Sequence, residues 1–314
     1  MSSDFPLDAT YGPWLISLFL ETILYGMGAL QCWLYFQWWP ADGISIKAPV
    51  HVVLALETIQ IVFFFRSSYF RFVERFGIPQ TDLIWSDSLQ LLANYLSAFT
   101  VQMYFASRIY RLTKQHMTYK ASRAGIYTVM GLAVTQLSAG IAQTIMSYKI
   151  RSYEKLDSTK VITTLQTAAS LACDIVITVY LCVYLQHHKN GMPKTTTMLN
   201  TLIVNAINRG MLTAACSCGT TILFLVKPNT FYFFLTLAPS SKLYMNSMLA
   251  TLNTRQYIRN KVLSNDMGWN TIVLGTMPTG APATVDVQGR RGSVSAVDFE
   301  SNLVEHRGNV KRLE

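Results

Sequence analysis

The chain has 314 residues, 51% of them hydrophobic and 14% charged, with a formal net charge of +9. A soluble domain carries about 25% charged residues, and the apolar residues here gather into seven blocks of the roughly 20 residues that one bilayer crossing needs. This pattern excludes a soluble enzyme, a collagen-like rod and a disordered chain. It predicts an all-α fold, a polytopic transmembrane bundle of seven helices with a disordered C-terminal tail.

In chain order the apolar blocks predict helices over 13–38, 48–73, 87–112, 123–147, 162–187, 197–226 and 229–254. Turn residues separate them: Pro40, Asp42 and Gly43, then Gly77 and Pro79, then Gly191 and Pro193, then Pro228 and Asn229. Trp33, Tyr35, Trp38 and Trp39 at the end of the first block read as an aromatic girdle at a headgroup boundary. Residues 1–12 form a short extracytosolic segment, 13–254 the membrane domain and 255–314 a cytosolic tail. From about residue 264 the tail is dominated by Gly, Pro, Ser, Thr and Asn, too polar to bury a core. Within it Arg290-Arg291-Gly292-Ser293 offers Ser293 as a candidate phosphorylation site.

Orientation follows from the basic residues that flank the blocks. An extracytosolic N-terminus places eleven of them on the cytosolic side and eight on the other. The positive charge is spread over these flanks with no dense basic run, so the bilayer is the expected partner and nucleic acid is not. All five cysteines, Cys32, Cys173, Cys182, Cys216 and Cys218, fall inside apolar blocks and are expected as free, buried thiols. Asp4 and Asp8 stand where a cleavable signal peptide would be basic.

An ionisable group inside the bilayer costs about 2.5 kcal/mol or more on insertion scales, so Glu21, Glu57, Asp174, Arg209 and Lys242 each need an explanation. Folding helices five and six back on one another about residue 192 brings Asp174 level with Arg209. Folding helices six and seven about 227–228 brings Lys242 to within about 6 Å of the same depth at 1.5 Å per residue. Asn205, Asn208, Tyr244 and Asn246 add hydrogen-bonding capacity. Asp174, Arg209 and Lys242 are therefore expected as one buried charge cluster. It is either an ion pair that locks helix packing or the lining of a polar cavity for a small-molecule or lipid ligand. One acid cannot satisfy both cations, so Glu57, at mid-depth of helix two, is a further candidate. Glu21 is expected nearer the outer end and partly solvated. Gln102, Gln136 and Gln143 read as interhelical hydrogen-bond partners.

The sequence holds no Gly-rich phosphate loop, no His-Glu-x-x-His pair and no nucleophile elbow, and its five histidines lie at helix ends, in loops or in the tail. No metal and no cofactor are expected. Lys242 in the seventh helix invites a retinal Schiff-base reading, but helix three offers no counter-acid and Asp174 would have to serve.

Several motifs carry a resemblance. Asn208-Arg209-Gly210-x-x-Thr213 precedes Ser241-Lys242-Leu243-Tyr244-x-Asn246-Ser247-x-Leu249-Ala250-x-Leu252-Asn253-x-Arg255. Leu24-Tyr25-Gly26, Gln31, Tyr35-Phe36 and Phe105-x-x-Arg108-Ile109-x-Arg111 accompany them. Over residues 11 to 255 the chain resembles a group of seven-helix membrane proteins from mushroom-forming fungi known only as a domain of unknown function. The resemblance implies a seven-helix integral membrane protein and assigns no ligand or reaction. Three activities remain open: a receptor-like sensor of a small molecule with an unidentified cytosolic partner, an enzyme acting on a lipid or isoprenoid with Glu21, Glu57 or Asp174 as acid, and a transporter. The transporter is disfavoured because no internal repeat is visible.

Overall fold

The computed structural model describes residues 7–76, 82–113, 119–187, 193–227 and 230–266. Seven long helices account for nearly all of them: α1 Leu7–Trp38, α2 Ile44–Tyr69, α3 Trp85–Thr113, α4 Tyr119–Ile150, α5 Lys160–His187, α6 Pro193–Val226 and α7 Phe234–Asp266. A π-helical turn, Phe70–Glu74, extends α2, and a 3-10 turn, Tyr153–Thr159, leads into α5. Most helices run longer than the apolar blocks: α1 begins at Leu7, with Gly12 and Pro13 inside it, and α2 begins at Ile44, ahead of Pro49. α7 continues to Asp266, through the beginning of the segment read as tail. Ser293, the rest of the tail and the Pro228-Asn229 turn lie outside the described residues.

Consecutive helices pack as antiparallel neighbours and α1 closes the ring against α7, while α3 also touches α5 and α7. The end of the bundle at which α1, α3, α5 and α7 begin is called the N-face here, and the opposite end the C-face. Five helices, α1, α2, α4, α5 and α6, are long and apolar enough to cross a membrane. Large apolar side chains such as Phe19, Val62, Phe65, Val179 and Ile222 project from their outer surfaces, as a surface in contact with lipid tails requires. α3 and α7 are more polar for a positional reason. Each is flanked by three or more other helices, so its polar residues, among them Gln90, Asn94 and Ser97 on α3 and Ser241 and Lys242 on α7, are buried in protein.

The interior is divided along its length. The C-face half is an apolar core that includes Val53, Val101, Phe105, Ile177, Met245, Met248 and Leu249. At the N-face an aromatic cap brings Trp14, Phe64, Tyr153, Phe231, Phe233 and Phe234 together, with the Trp14 and Phe234 ring centroids 4.6 Å apart. Between core and cap lie most of the buried polar groups.

The α3–α4 seam depends on one missing side chain. A Cβ on Gly140 would stand 2.5 Å from the Tyr95 ring, and Tyr95 is fixed by burial and by its hydroxyl donating to Gln143 Oε1 at 2.6 Å. Gly131, on the same helix, has open space around it. Gly140→Ala is expected to destabilise the protein by about 1–3 kcal/mol through overpacking. Gly131→Ala should be neutral or stabilising because alanine favours helix by up to about 1 kcal/mol. Thermal unfolding of the two variants in one detergent checks the difference.

Candidate functional site: paired charges beside a polar cavity

Inside a helical bundle a cation must find an anion on another helix, because water is scarce and desolvation costs several kcal/mol per ion. Lys242 meets that requirement twice. Its Nζ lies 2.8 Å from Glu21 Oε1 on α1 and 2.7 Å from Glu57 Oε2 on α2. It also donates to Gln60 Oε1 at 3.0 Å. Ser241 donates to Glu57 Oε2 at 3.1 Å and to Gln60 Oε1 at 2.6 Å, and Ser97 on α3 donates to Glu57 Oε1. Glu57 thus has three partners on two helices. Glu21 relies on Lys242, and its Oε2 has no hydrogen-bond partner among the described residues. Glu21 is fully buried, where partial solvation had been expected. Its place in mid-bundle follows from α1 starting at Leu7, which sets residue 21 deeper than a helix beginning at residue 13 would.

Asp174 and Arg209 form a second network. Arg209 Nη2 donates to Asp174 Oδ1 at 3.1 Å, and the Tyr244 hydroxyl donates to Asp174 Oδ2. Ser170 and Tyr244 share a hydrogen bond of 3.0 Å. The guanidinium also stacks on Phe105 of α3, with Cζ 3.8 Å from the ring centroid. That contact covers a face whose Nε and Nη1 have no hydrogen-bond partner among the described residues.

The three charges expected in one cluster therefore fall into two. Lys242 and Tyr244 are two residues apart, a rotation of about 200° around a helix. Tyr244 consequently faces α5 while Lys242 faces α1 and α2. Hairpin symmetry estimates depth, and it carries no information on rotation. The other candidates divide similarly. Asn246 donates to the carbonyls of Leu24 and Lys242 and so fastens α7 to α1. Asn208 is exposed on the outer surface of α6, apart from both networks. Glu57, the further acid expected for the two cations, reaches Lys242 from α2, and Glu21 joins it from α1.

Two further pairs lie apart from both networks. Arg71, one of the basic residues at the end of the second apolar block, is buried with Asp87 at 2.6 Å and lies over the Trp14 ring at 4.3 Å. A sequence signal for it existed: the inward stripe of α2, Val50, Val53, Glu57, Gln60, Phe64 and Ser67, steps by three and four residues and reaches Arg71 next. At the C-face Arg255 pairs with Asp42 at 2.6 Å and stacks over Trp39 at 4.4 Å. Tyr35 is buried and donates to Asp42 at 3.1 Å, so only Trp33 and Trp38 remain outward for the expected girdle. Burial acts to raise the Asp42 pKa, but the Arg255 hydrogen bond and charge outweigh it and hold the carboxyl below its ordinary value. All five cysteines are free; Cys32 and Cys173 are buried, whereas Cys182 and Cys216 are half-buried and Cys218 is exposed on the outer surface.

Above the two networks, toward the N-face, lies a cavity of about 60 Å³ bounded by α3, α4, α5, α6 and α7. Its polar wall includes Gln90, Asn94, Gln143, Gln166 and Thr167, and its apolar wall Phe224, Phe233, Phe234 and Leu237. A deeper pocket of about 30 Å³ shares Asn94, Tyr95, Gln166, Thr167, Thr220 and Leu237 with it and reaches down to Ser170 and Tyr244. The upper cavity also touches Gln60. One end of this space thus rests on the Lys242 network through Gln60, and the other on the Asp174 network through Tyr244.

The family described as "Family of unknown function (DUF6534)" matches residues 170–257. The match runs from the middle of α5 through most of α7, so it contains Asp174, Arg209, Lys242, Tyr244 and Arg255 but neither Glu21 nor Glu57. No curated protein and no solved structure matches the chain.

Because Asp174 is enclosed, Arg209→Ala is expected to destabilise the protein by about 3–5 kcal/mol, the usual result of stranding one member of a buried pair. Arg209→Met combined with Asp174→Asn should recover much of that loss. A thermal-stability cycle on the singles and the double in one detergent tests this, and simple additivity would show that the two side chains are not coupled.

Proposed function

We propose that the protein is a receptor-like sensor whose seven helices cross the membrane, with the N-face outside and the C-face in the cytosol. A small molecule occupies the N-face cavity, and α7 carries its effect to the C-face. The observation that supports this reading is the position of α7. Its Tyr244 forms part of the cavity floor and holds Asp174. Lys242, on the other side of the same helix, holds Glu21 and Glu57. Arg255, farther along, holds Asp42 at the C-face. A ligand that pulls on Tyr244 or Gln60 changes the balance between these networks, and a helix restrained on both sides responds by a small shift or rotation.

The alternatives draw less support from the geometry. An enzyme acting on lipid needs an acid that reaches its substrate, yet Glu21, Glu57 and Asp174 are spent on Lys242, Arg209 and Tyr244, and none of them lines the cavity. A transporter needs a route past its site, and below the cavity Val101, Phe105, Ile177 and Met248 pack together in the apolar core.

Trp39 reports on the C-face end, because Arg255 stacks on it. In fluorotryptophan-labelled protein in lipid nanodiscs, with the Trp39 signal assigned by Trp39→Phe, Tyr244→Phe is expected to shift or split that signal. Residues 244 and 255 are separated by about 16 Å of helix, so the change must travel along α7. An unchanged Trp39 signal contradicts the reading. Lipid extracts from cells with and without the gene separate it from the enzyme alternative, which requires a new or missing lipid product.

A further inference from the structure

The cavity is a polar space in which every neighbouring formal charge is already matched. Asp87, the one carboxylate in its wall among the described residues, accepts from Arg71 with both oxygens, at 3.2 and 2.6 Å, and from the Ile84 N–H at 2.9 Å. Gln60 Oε1 is taken by Lys242 and Ser241. The Tyr244 hydroxyl donates its hydrogen bond to Asp174. A charged ligand entering here meets no free counter-charge and loses its hydration, a cost of several kcal/mol per ion.

Neutral hydrogen-bonding capacity, by contrast, is left over. Gln136 lines the deeper pocket, is fully buried, and has no partner for Oε1 or Nε2 among the described residues. Gln90 and Gln166 are buried in the wall of the upper cavity and add two more neutral amides to it. A buried amide left unpaired costs about 1–3 kcal/mol, so such groups in a cavity call for something that both donates and accepts. The facing wall of Phe224, Phe233, Phe234 and Leu237 offers no hydrogen bonds and suits a flat apolar surface. In volume, a water-sized position needs about 10–15 Å³, so the upper and lower pockets, about 60 and 30 Å³, hold on the order of six such positions, about one ring with a short substituent.

We propose that this cavity, formed where the amides of α3, α4 and α5 face the aromatic wall of α6 and α7, binds a small uncharged molecule with a single ring or short apolar body and an amide, carbonyl or alcohol group. The proposal rests on the sensor reading for its biological role and adds the chemical class of what is sensed. The apolar body lies against Phe233 and Phe234, and the polar group reaches Gln90, Gln166 or Gln136. Ions of the same size are rejected because no side chain is available to neutralise them.

Three probes of matched size separate the possibilities: benzamide, benzylammonium and benzoate. Each is titrated by calorimetry into the full chain in lipid nanodiscs, alongside empty nanodiscs, and into the Gln166→Leu, Gln90→Leu and Ala238→Phe variants. Benzamide is expected to bind saturably, with both ions at least about tenfold weaker. Either glutamine substitution should weaken benzamide about tenfold, which corresponds to one hydrogen bond of roughly 1.4 kcal/mol. Ala238→Phe, which fills the aromatic wall, should abolish binding; should it fail to fold, the glutamine variants carry the same test. Binding of either ion as tight as benzamide, sensitive to Ala238→Phe or to the glutamine variants, overturns the neutral class and leaves the sensor reading intact. Benzamide affinity unchanged in every folded variant, or no saturable binding of any probe, overturns the cavity as a ligand site and marks it as a water-filled space. The sensor reading fails separately, when the Trp39 signal ignores Tyr244→Phe.

Discussion

The structure depends on the pairing of Lys242 with two carboxylates. An ammonium with no exposed surface, placed among seven helices, is tolerated only where anions reach it. Here they come from α1 and α2, so one side chain fixes the relative depth and rotation of three helices. The other ion pairs, two of them buried and the Arg255–Asp42 pair partly exposed, tie further helices together. Asp174 and Arg209 join α5 to α6, Arg71 and Asp87 join α2 to α3, and Arg255 joins α7 to the turn that holds Asp42. Each helix except α4 is held by at least one such pair, counting the α1–α2 turn with its helices. α4 is fixed by close packing, with Gly140 against Tyr95 and Gln143 bonded to the Tyr95 hydroxyl.

This pairing also shapes the space above it. Once the cations and carboxylates have met one another, the groups left facing the cavity are amides, hydroxyls and aromatic rings. In the C-face half Val101, Phe105, Ile177 and Met248 pack into an apolar core. A cavity at one end and a packed core at the other suit the proposed sensor, which holds a ligand and passes on a change of shape. α7 spans both halves and carries side chains in each network.

Helix type and number of long elements were legible in the sequence because block length and turn residues are one-dimensional signals. Asp174 and Arg209 were legible as neighbours for a similar reason: two helices joined by a short turn must match depth about that turn. Rotation was harder. Lys242 at the same level turns away from Asp174, and only the inward stripe of each helix could have shown it. On α2 that stripe was readable as far as Arg71, whose burial was missed because basic residues were counted as boundary markers. Tyr35 and Trp39 read as interfacial because aromatic residues at the end of an apolar block mark a headgroup boundary, whereas Asp42 and Arg255 hold them inward. The cavity lay beyond sequence reasoning, since Gln90, Asn94, Gln166 and Thr220 come from three helices and none is unusual on its own.

The most direct test of this account is the thermal stability of the Lys242 network in one detergent. Lys242→Met strands Glu21 and Glu57 and is predicted to cost about 3–5 kcal/mol. The triple variant Lys242→Met, Glu21→Gln, Glu57→Gln removes all three charges and is predicted to regain most of that loss. If Lys242→Met is as stable as the native chain, or the triple variant is no better than the single, the buried pairing does not hold α1, α2 and α7 together, and the account is contradicted.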